Sequence, residues 1–264
     1  MERKEEYKYA VVTGASQGLG KAFAQRLALK GIHLILVSLP EQNVKRLAQE
    51  LGKTYHISTQ YYETDFKSDQ NIKTLCNWLN GNFSIFILIN NAGTGGTRKF
   101  SDVPTSYINT IIQVNVKATS LLTHGLLPNL KQQEKSYILN VSSIAAFSPV
   151  GYKTVYPASK SFVHSFSLGL SEELKNSNIS VSVINPGAMK TNDEITARIE
   201  KQGLIGKLTL LDPYKVAHHS LNKMFRGKTV ILLNHLSWFI SILLPTRVKV
   251  SMMTKIIKRE LTVG

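Results

Sequence analysis

Tyr9-Ala10-Val11-Val12-Thr13-Gly14-Ala15-Ser16-Gln17-Gly18-Leu19-Gly20 runs from a short apolar, β-rich stretch through a glycine-rich turn into Leu19, Ala22, Phe23 and Leu27, which recur at helical spacing. Glycines in such a strand-to-helix turn allow a tight bend, a close approach of backbone to a bound anion and close packing of the helix on the strand. The helix N-terminus adds N–H donors and the positive end of its dipole. The spacing is Gly-x-x-x-Gly-x-Gly and departs from the Gly-x-Gly-x-x-Gly of the commoner dinucleotide folds. Its meaning therefore comes from its place after a first strand and before an amphipathic helix.

Outward from that turn, short β-rich runs alternate with longer helical patterns. The predicted strands are Tyr9–Thr13, His33–Ser38, Thr59–Glu63, Ile85–Asn90, Tyr137–Ser142, Ser180–Asn185 and Thr229–Leu233. Between them the periodicity predicts helices over Leu19–Lys30, Glu41–Leu51, Ser68–Leu79, Tyr107–Lys131, Val155–Asn176 and Pro213–Phe225, with Asp212 as N-cap of the last. This alternation is the sequence form of an α/β doubly wound domain, a parallel sheet with helices on both faces. No repeat, low-complexity tract or Pro/Gly-rich linker interrupts it, so residues 1–264 read as one domain. Residues 188–211 have weak periodicity and polar content, which suits either a loop over a site at the carboxyl ends of the strands or an ordinary surface loop.

With 43% hydrophobic residues, 264 residues suffice for one large core, and fibrous or wholly disordered readings are excluded. A single cysteine, Cys76, rules out an intramolecular disulfide and a thiolate zinc site. The charged start MERKEEYK has no apolar secretory core, and no run of 18 apolar residues occurs, so the expected location is the cytoplasm. The formal net charge is +15, from 32 basic and 17 acidic residues. A solvated basic face accounts for such an excess, as would an anionic partner. No base-reading motif or basic aromatic platform is present, which argues against nucleic acid.

Several further motifs lie in register with the turn. Asn90-Asn91-Ala92-Gly93 follows the fourth strand, Asn115 lies in a long helix and Ser143 follows the fifth strand. Tyr156-Pro157-Ala158-Ser159-Lys160 opens the next helix, and Pro186-Gly187 with Thr191 follows the sixth strand. From about Lys8 to Thr191 the chain resembles the short-chain dehydrogenase/reductase family in order and spacing. The resemblance implies a seven-stranded Rossmann-type sheet, an NAD(P) cofactor and usually a homodimer or homotetramer. The cofactor contacts it implies are Gly14, Ser16, Gln17, Gly18, Leu19, Gly20, Ser38, Asp65, Asn91, Ala92, Gly93, Tyr156, Lys160, Pro186, Gly187, Met189 and Thr191.

Tyr156 and Lys160 are four residues apart, so on a helix they share a face and reach a common ligand. A phenol titrates near 10, and a neighbouring ammonium favours phenolate, which suits Tyr156 to exchange a proton with a carbonyl oxygen. By the family pattern Lys160 also holds the nicotinamide ribose. The family serine stands 13 residues before the tyrosine, which is Ser143, to stabilise developing oxyanion character. Ser142 reads as a packed strand-end residue. Asn115 interrupts an apolar helix face; the family uses it to hold a water linking the lysine to solvent, and the plainer alternative is a helix-bending core amide.

The end of the second strand reads Val37-Ser38-Leu39-Pro40, without the acid that repels a 2′-phosphate, so NADP(H) is favoured over NAD(H), although the arginine many NADP-using relatives carry is replaced by Leu39. Residues 234–264 combine apolar anchors such as Trp238, Phe239, Ile256 and Ile257 with Lys255, Lys258 and Arg259. That composition suits a final core-packed helix, a lid, a subunit interface or peripheral contact with an anionic membrane. The expected activity is NAD(P)H-dependent reduction of a hydrophobic, acyl-chain or steroid-like ketone, or oxidation of the alcohol. A non-catalytic nucleotide sensor on the same fold is the alternative.

Overall fold

The structure, a computed structural model, describes residues 7–187, 189, 210–233 and 245–261. Seven strands, β1 (Lys8–Thr13), β2 (His33–Ser38), β3 (Thr59–Glu63), β4 (Ser84–Asn90), β5 (Ser136–Val141), β6 (Ile179–Ile184) and β7 (Val230–Ile231), form one parallel sheet of order β3-β2-β1-β4-β5-β6-β7. The described helices are α1 (Gly18–Ala28), α2 (Val44–Tyr55), α3 (Asp69–Asn82), α4 (Thr105–Ile111), α5 (Ala118–Lys131), α6 (Val155–Glu173), α7 (Pro213–Phe225) and α8 (Thr246–Leu261).

Strand residues alternate between two buried layers, as the pleat requires. Ala10, Val12, Leu34 and Leu36 pack with Phe23, Leu27, Leu47, Leu51 and Leu221 of α1, α2 and α7. Val11, Ile35 and Val37 face Ile72, Leu75, Leu79, Leu122, Leu126 and Leu130 of α3 and α5. In β4 a register shift against β1 lies between Ile85 and Ile87, so the alternation slips by one there. The strand order reverses between β1 and β4, and an α/β sheet opens a crevice beyond the carboxyl ends of its strands at such a point.

Most predicted elements agree to within two or three residues. The helix expected from Glu41 begins at Val44, because Glu41 and Asn43 have φ of 63° and 55°, outside the helical region. The helix expected unbroken over Tyr107–Lys131 is divided, with a π-helical turn at Ile112–Lys117 between α4 and α5. The last strand shrinks to two residues at the sheet edge. Asp212 caps α7 by accepting from Tyr214 N at 2.8 Å. Thr191 and most of segment 188–211 lie outside the described residues, as do residues 234–244.

Candidate active site

Gly14 and Gly18 adopt φ of 63° and 53°, values that L side chains avoid. At Gly20 a Cβ would collide with the carbonyl oxygen of Gly14, so the turn packs only with glycine there. Gln17 ends the turn in an extended conformation with no side-chain cap, and the first turn of α1 carries no acidic residue. The orphan N–H groups of Gly18, Leu19 and Gly20 therefore suit an anion. Ser16 donates to Gln42 Oε1 at 2.7 Å, tying the turn to the chain beyond β2.

The loop after β4 is stitched to this turn. Thr13 Oγ1 accepts from Asn91 N and Ala92 N at 3.0 Å each and donates to Ile89 O, while Asn91 Nδ2 donates to Thr13 O and Gly14 O. Thr13 is thus the hub of the junction, a role not visible in its sequence position. Asn90, just before, is buried and donates to Thr123 and Asn140.

Lys160 is buried, and its Nζ donates to Val141 O at 2.9 Å. Burial pulls its pKa down to about 8. Tyr156, one turn earlier, has its phenol pushed up by burial, and the Ser143 hydroxyl partly offsets this. The ammonium lies 5.9 Å from the Tyr156 ring centroid. Ser143 Oγ also accepts from Ala145 N at 3.2 Å. Ser142 instead donates to Lys160 O at 2.7 Å, the packed strand-end role expected of it.

Asn115 sits in the π-helical turn, fully buried, accepting from Thr94 N at 2.8 Å and donating to Thr94 O and Ser159 Oγ at 2.9 Å. A Cβ on Gly93 would lie 3.2 Å from Lys160 Nζ and 3.3 Å from Asn115 Oδ1, so lysine and asparagine flank one glycine. Asn115 thus lies in the π-helical turn, on the other side of Gly93 from the lysine. Ser143, Tyr156, Lys160, Asn115 and Gly93 meet in one place. The loop from Asn91 is bonded to the glycine turn, so the start of α1 with its N–H donors lies on the same side of the sheet and suits the phosphates of a dinucleotide.

The remaining expected contacts divide. Pro186 accepts from Ile144 N, which holds the loop after β6 against that after β5, and Gly187 follows. Met189 bridges Leu211 and packs on the core beside α7. Asp65 accepts from Lys67 N and pairs with Lys67 Nζ, holding a surface turn after β3. Ser38 is buried with its hydroxyl donating to Leu39 O, so its proton is directed to its own chain and not outward. Among the described residues no group of His, Cys, Asp and Glu is placed to hold a metal ion.

The family model for short chain dehydrogenase matches residues 8–202. The chain belongs to the short-chain dehydrogenase family. Members are oxidoreductases of CH–OH and C=O groups, and this one carries the family's seven-stranded Rossmann-type domain. It is 34% identical over 180 residues to a very-long-chain 3-oxoacyl-CoA reductase of Laccaria bicolor, covering 67% of this chain and 53% of that one. It is 32% identical over 189 residues to an uncharacterized oxidoreductase of Staphylococcus epidermidis, with coverage of 71% and 80%. The chain thus spans about half the length of the fungal reductase. Among solved structures, a short-chain dehydrogenase of Sphingobium yanoikuyae in complex with NADPH is 27% identical at TM-score 0.78, covering 89% and 92%. A bulky-bulky ketone specific alcohol dehydrogenase of Comamonas testosteroni is also 27% identical, at TM-score 0.77, covering 88% and 89%.

Proposed function

We propose that this chain is an NAD(P)H-dependent carbonyl reductase, or the reverse alcohol dehydrogenase, for a hydrophobic lipid-type ketone. One observation carries the reading: Ser143, Tyr156 and Lys160 converge beside the glycine turn, with Asn115 behind the lysine. The nicotinamide nucleotide supplies the hydride when bound. Ser143 donates to the substrate carbonyl oxygen and holds it, and Tyr156 delivers the proton to that oxygen, with the Lys160 ammonium 5.9 Å from the phenol ring placed to favour the phenolate left behind. The first turn of α1 would hold the pyrophosphate.

The lipid-type assignment is supported by the fungal relative's described substrate. A preference for NADP(H) is supported by the absence of an acid from Ser38 to Pro40 and by the NADPH complex of the Sphingobium relative. A homo-oligomer is supported by exposed Phe162 and Leu168 on α6 with Leu121 on α5. Peripheral contact with an anionic membrane is supported by exposed Val248 and Met252 on α8 beside exposed Arg247 and Lys255. Among the described residues no helix is long and apolar enough to cross a membrane.

The test is a panel of linear 2-ketones of increasing chain length, a 3-oxoacyl thioester and the matching alcohols, each with NADPH/NADP and NADH/NAD, followed by nicotinamide absorbance. The expected result is turnover with kcat/KM rising with chain length and higher with NADPH. No turnover with either cofactor would overturn the reading.

A further inference from the structure

The chain between Ser143 and Tyr156 is held from several sides. A 3₁₀ turn, Ile144–Phe147, follows the serine, and Ser161 of α6 donates to Ala146 O at 2.6 Å from beneath. The Phe147 ring meets His164 edge-on at 4.8 Å, one turn of α6 beyond Lys160. Arg98 N donates to Tyr152 O at 2.7 Å, at a residue whose φ of 65° is unusual for a non-glycine. These supports come from the core and from the loop after β4.

The remaining support comes from the far end of the sequence. Lys249 of α8 is buried at 8% exposure and its Nζ donates to Phe147 O at 3.1 Å. That carbonyl ends the 3₁₀ turn, where the backbone dipole is negative and a cation is favoured. One turn further, Thr254 Oγ1 accepts from Gly151 N at 2.9 Å. The fit is close, since a Cβ on Gly151 would lie 2.8 Å from Thr254 Cγ2. Ile257 is buried below. A charge-assisted bond from a buried lysine to a backbone carbonyl is stronger than one in water and holds that carbonyl in place.

We propose that Lys249 and Thr254 are positioning residues for the reaction: α8 clamps residues 144–154 and thereby sets Ser143 against Tyr156. This rests on the assignment of Ser143 and Tyr156 in the proposed function. The serine and tyrosine must approach one carbonyl oxygen together, and displacements of about 1 Å in such a pair are enough to slow chemistry severely. The inner face of α8 is thereby an active-site support, independent of what its outer face meets.

The experiment uses the full chain and the best 2-ketone of the panel with NADPH. Lys249→Met keeps the stem and removes the donor; it should lower kcat about tenfold on short and long ketones alike. NADPH affinity, read by fluorescence titration, should stay within about twofold, because the glycine turn is untouched. Lys249→Arg should restore most of the rate. Gly151→Ala should lower kcat by intruding on Thr254, and Gly151→Ala/Thr254→Ser should recover it, since serine keeps the acceptor and loses Cγ2. Wild-type kcat in both Lys249→Met and Gly151→Ala would overturn the clamp. So would a loss that tracks melting temperature and NADPH affinity instead of kcat. Tyr156→Phe separates the two readings: an active Tyr156→Phe defeats the site assignment, whereas an inactive one beside unaffected Lys249→Met and Gly151→Ala defeats the clamp alone.

Discussion

Gly95 packs against the ring of Tyr156 so closely that a Cβ there would lie 2.6 Å from Cδ2 and 3.1 Å from Cε2. The face of the phenol is therefore set by the absence of a side chain on the loop after β4. Gly95→Ala must push the ring or the loop aside. The expected outcome is a fall in kcat of about ten- to a hundredfold and a stability loss of about 1–3 kcal/mol. Steady-state kinetics and urea denaturation check this, and an unchanged kcat would show that the ring tolerates displacement.

Tyr156→Phe removes the proton and very little volume. Turnover should fall at least about a hundredfold, with NADPH binding nearly intact by fluorescence titration. Activity within about threefold of wild type would reassign the proton donor.

Lys160 carries a stability signature with a definite sign. Its pKa is about 8 in the fold against 10.5 for an ordinary lysine. Between those values the unfolded chain holds a proton the folded chain has released, so stability from this group rises with pH above about 8. Burial pushes the Cys76 thiol from 9.0 up to about 11, which acts in the opposite sense above pH 9. The rise is therefore cleanest between pH 8 and 9. Lys160→Met should abolish it, raise stability at pH 7 by removing a buried charge, and eliminate turnover. Denaturation at pH 7, 8 and 9 checks all three, and a wild-type slope in the variant would assign the rise elsewhere.

Ser38→Asp places a carboxylate at the end of β2 and tests whether the 2′-phosphate of the proposed NADP(H) lies there, although the serine hydroxyl itself turns to Leu39 O. Preference should shift towards NADH by at least about tenfold in kcat/KM, chiefly through loss of NADPH. An unchanged cofactor ratio would move the 2′ position away from this residue.

Phe162 and Phe166 stack in parallel on α6, 5.9 Å apart, and Phe162 is 40% exposed. With the proposed homo-oligomer formed across this face, Phe162→Glu should sediment as a monomer beside an oligomeric unsubstituted chain, without altering the far-ultraviolet dichroism. An oligomer that persists would place the interface elsewhere.

The strands, the glycine turn, the Tyr156/Lys160 pair and the capped start of α7 were legible because each depends on residues close in sequence: alternation, helical spacing, a cap at fixed offset. Ser143 was singled out from Ser142 only through the family resemblance, which places a serine 13 residues before the tyrosine. The π-helical turn was not legible, because Asn115 interrupts an apolar face equally well in a regular helix; its extra residue is stabilised by Thr94 and Ser159, 21 and 44 residues away. Thr13 as a hub, Gly95 beneath the phenol and the inward hydroxyl of Ser38 were likewise undecided, since a hydroxyl or a missing side chain carries no mark of what faces it. The last helix shows the limit most plainly. Its apolar and basic pattern suited a core, a lid, an interface or a membrane. Only folding, which brings Lys249 to Phe147 across 102 residues and Thr254 to Gly151 across 103, decided what its inner face meets, because such contacts are specified by the packing of the whole sheet and by no local pattern.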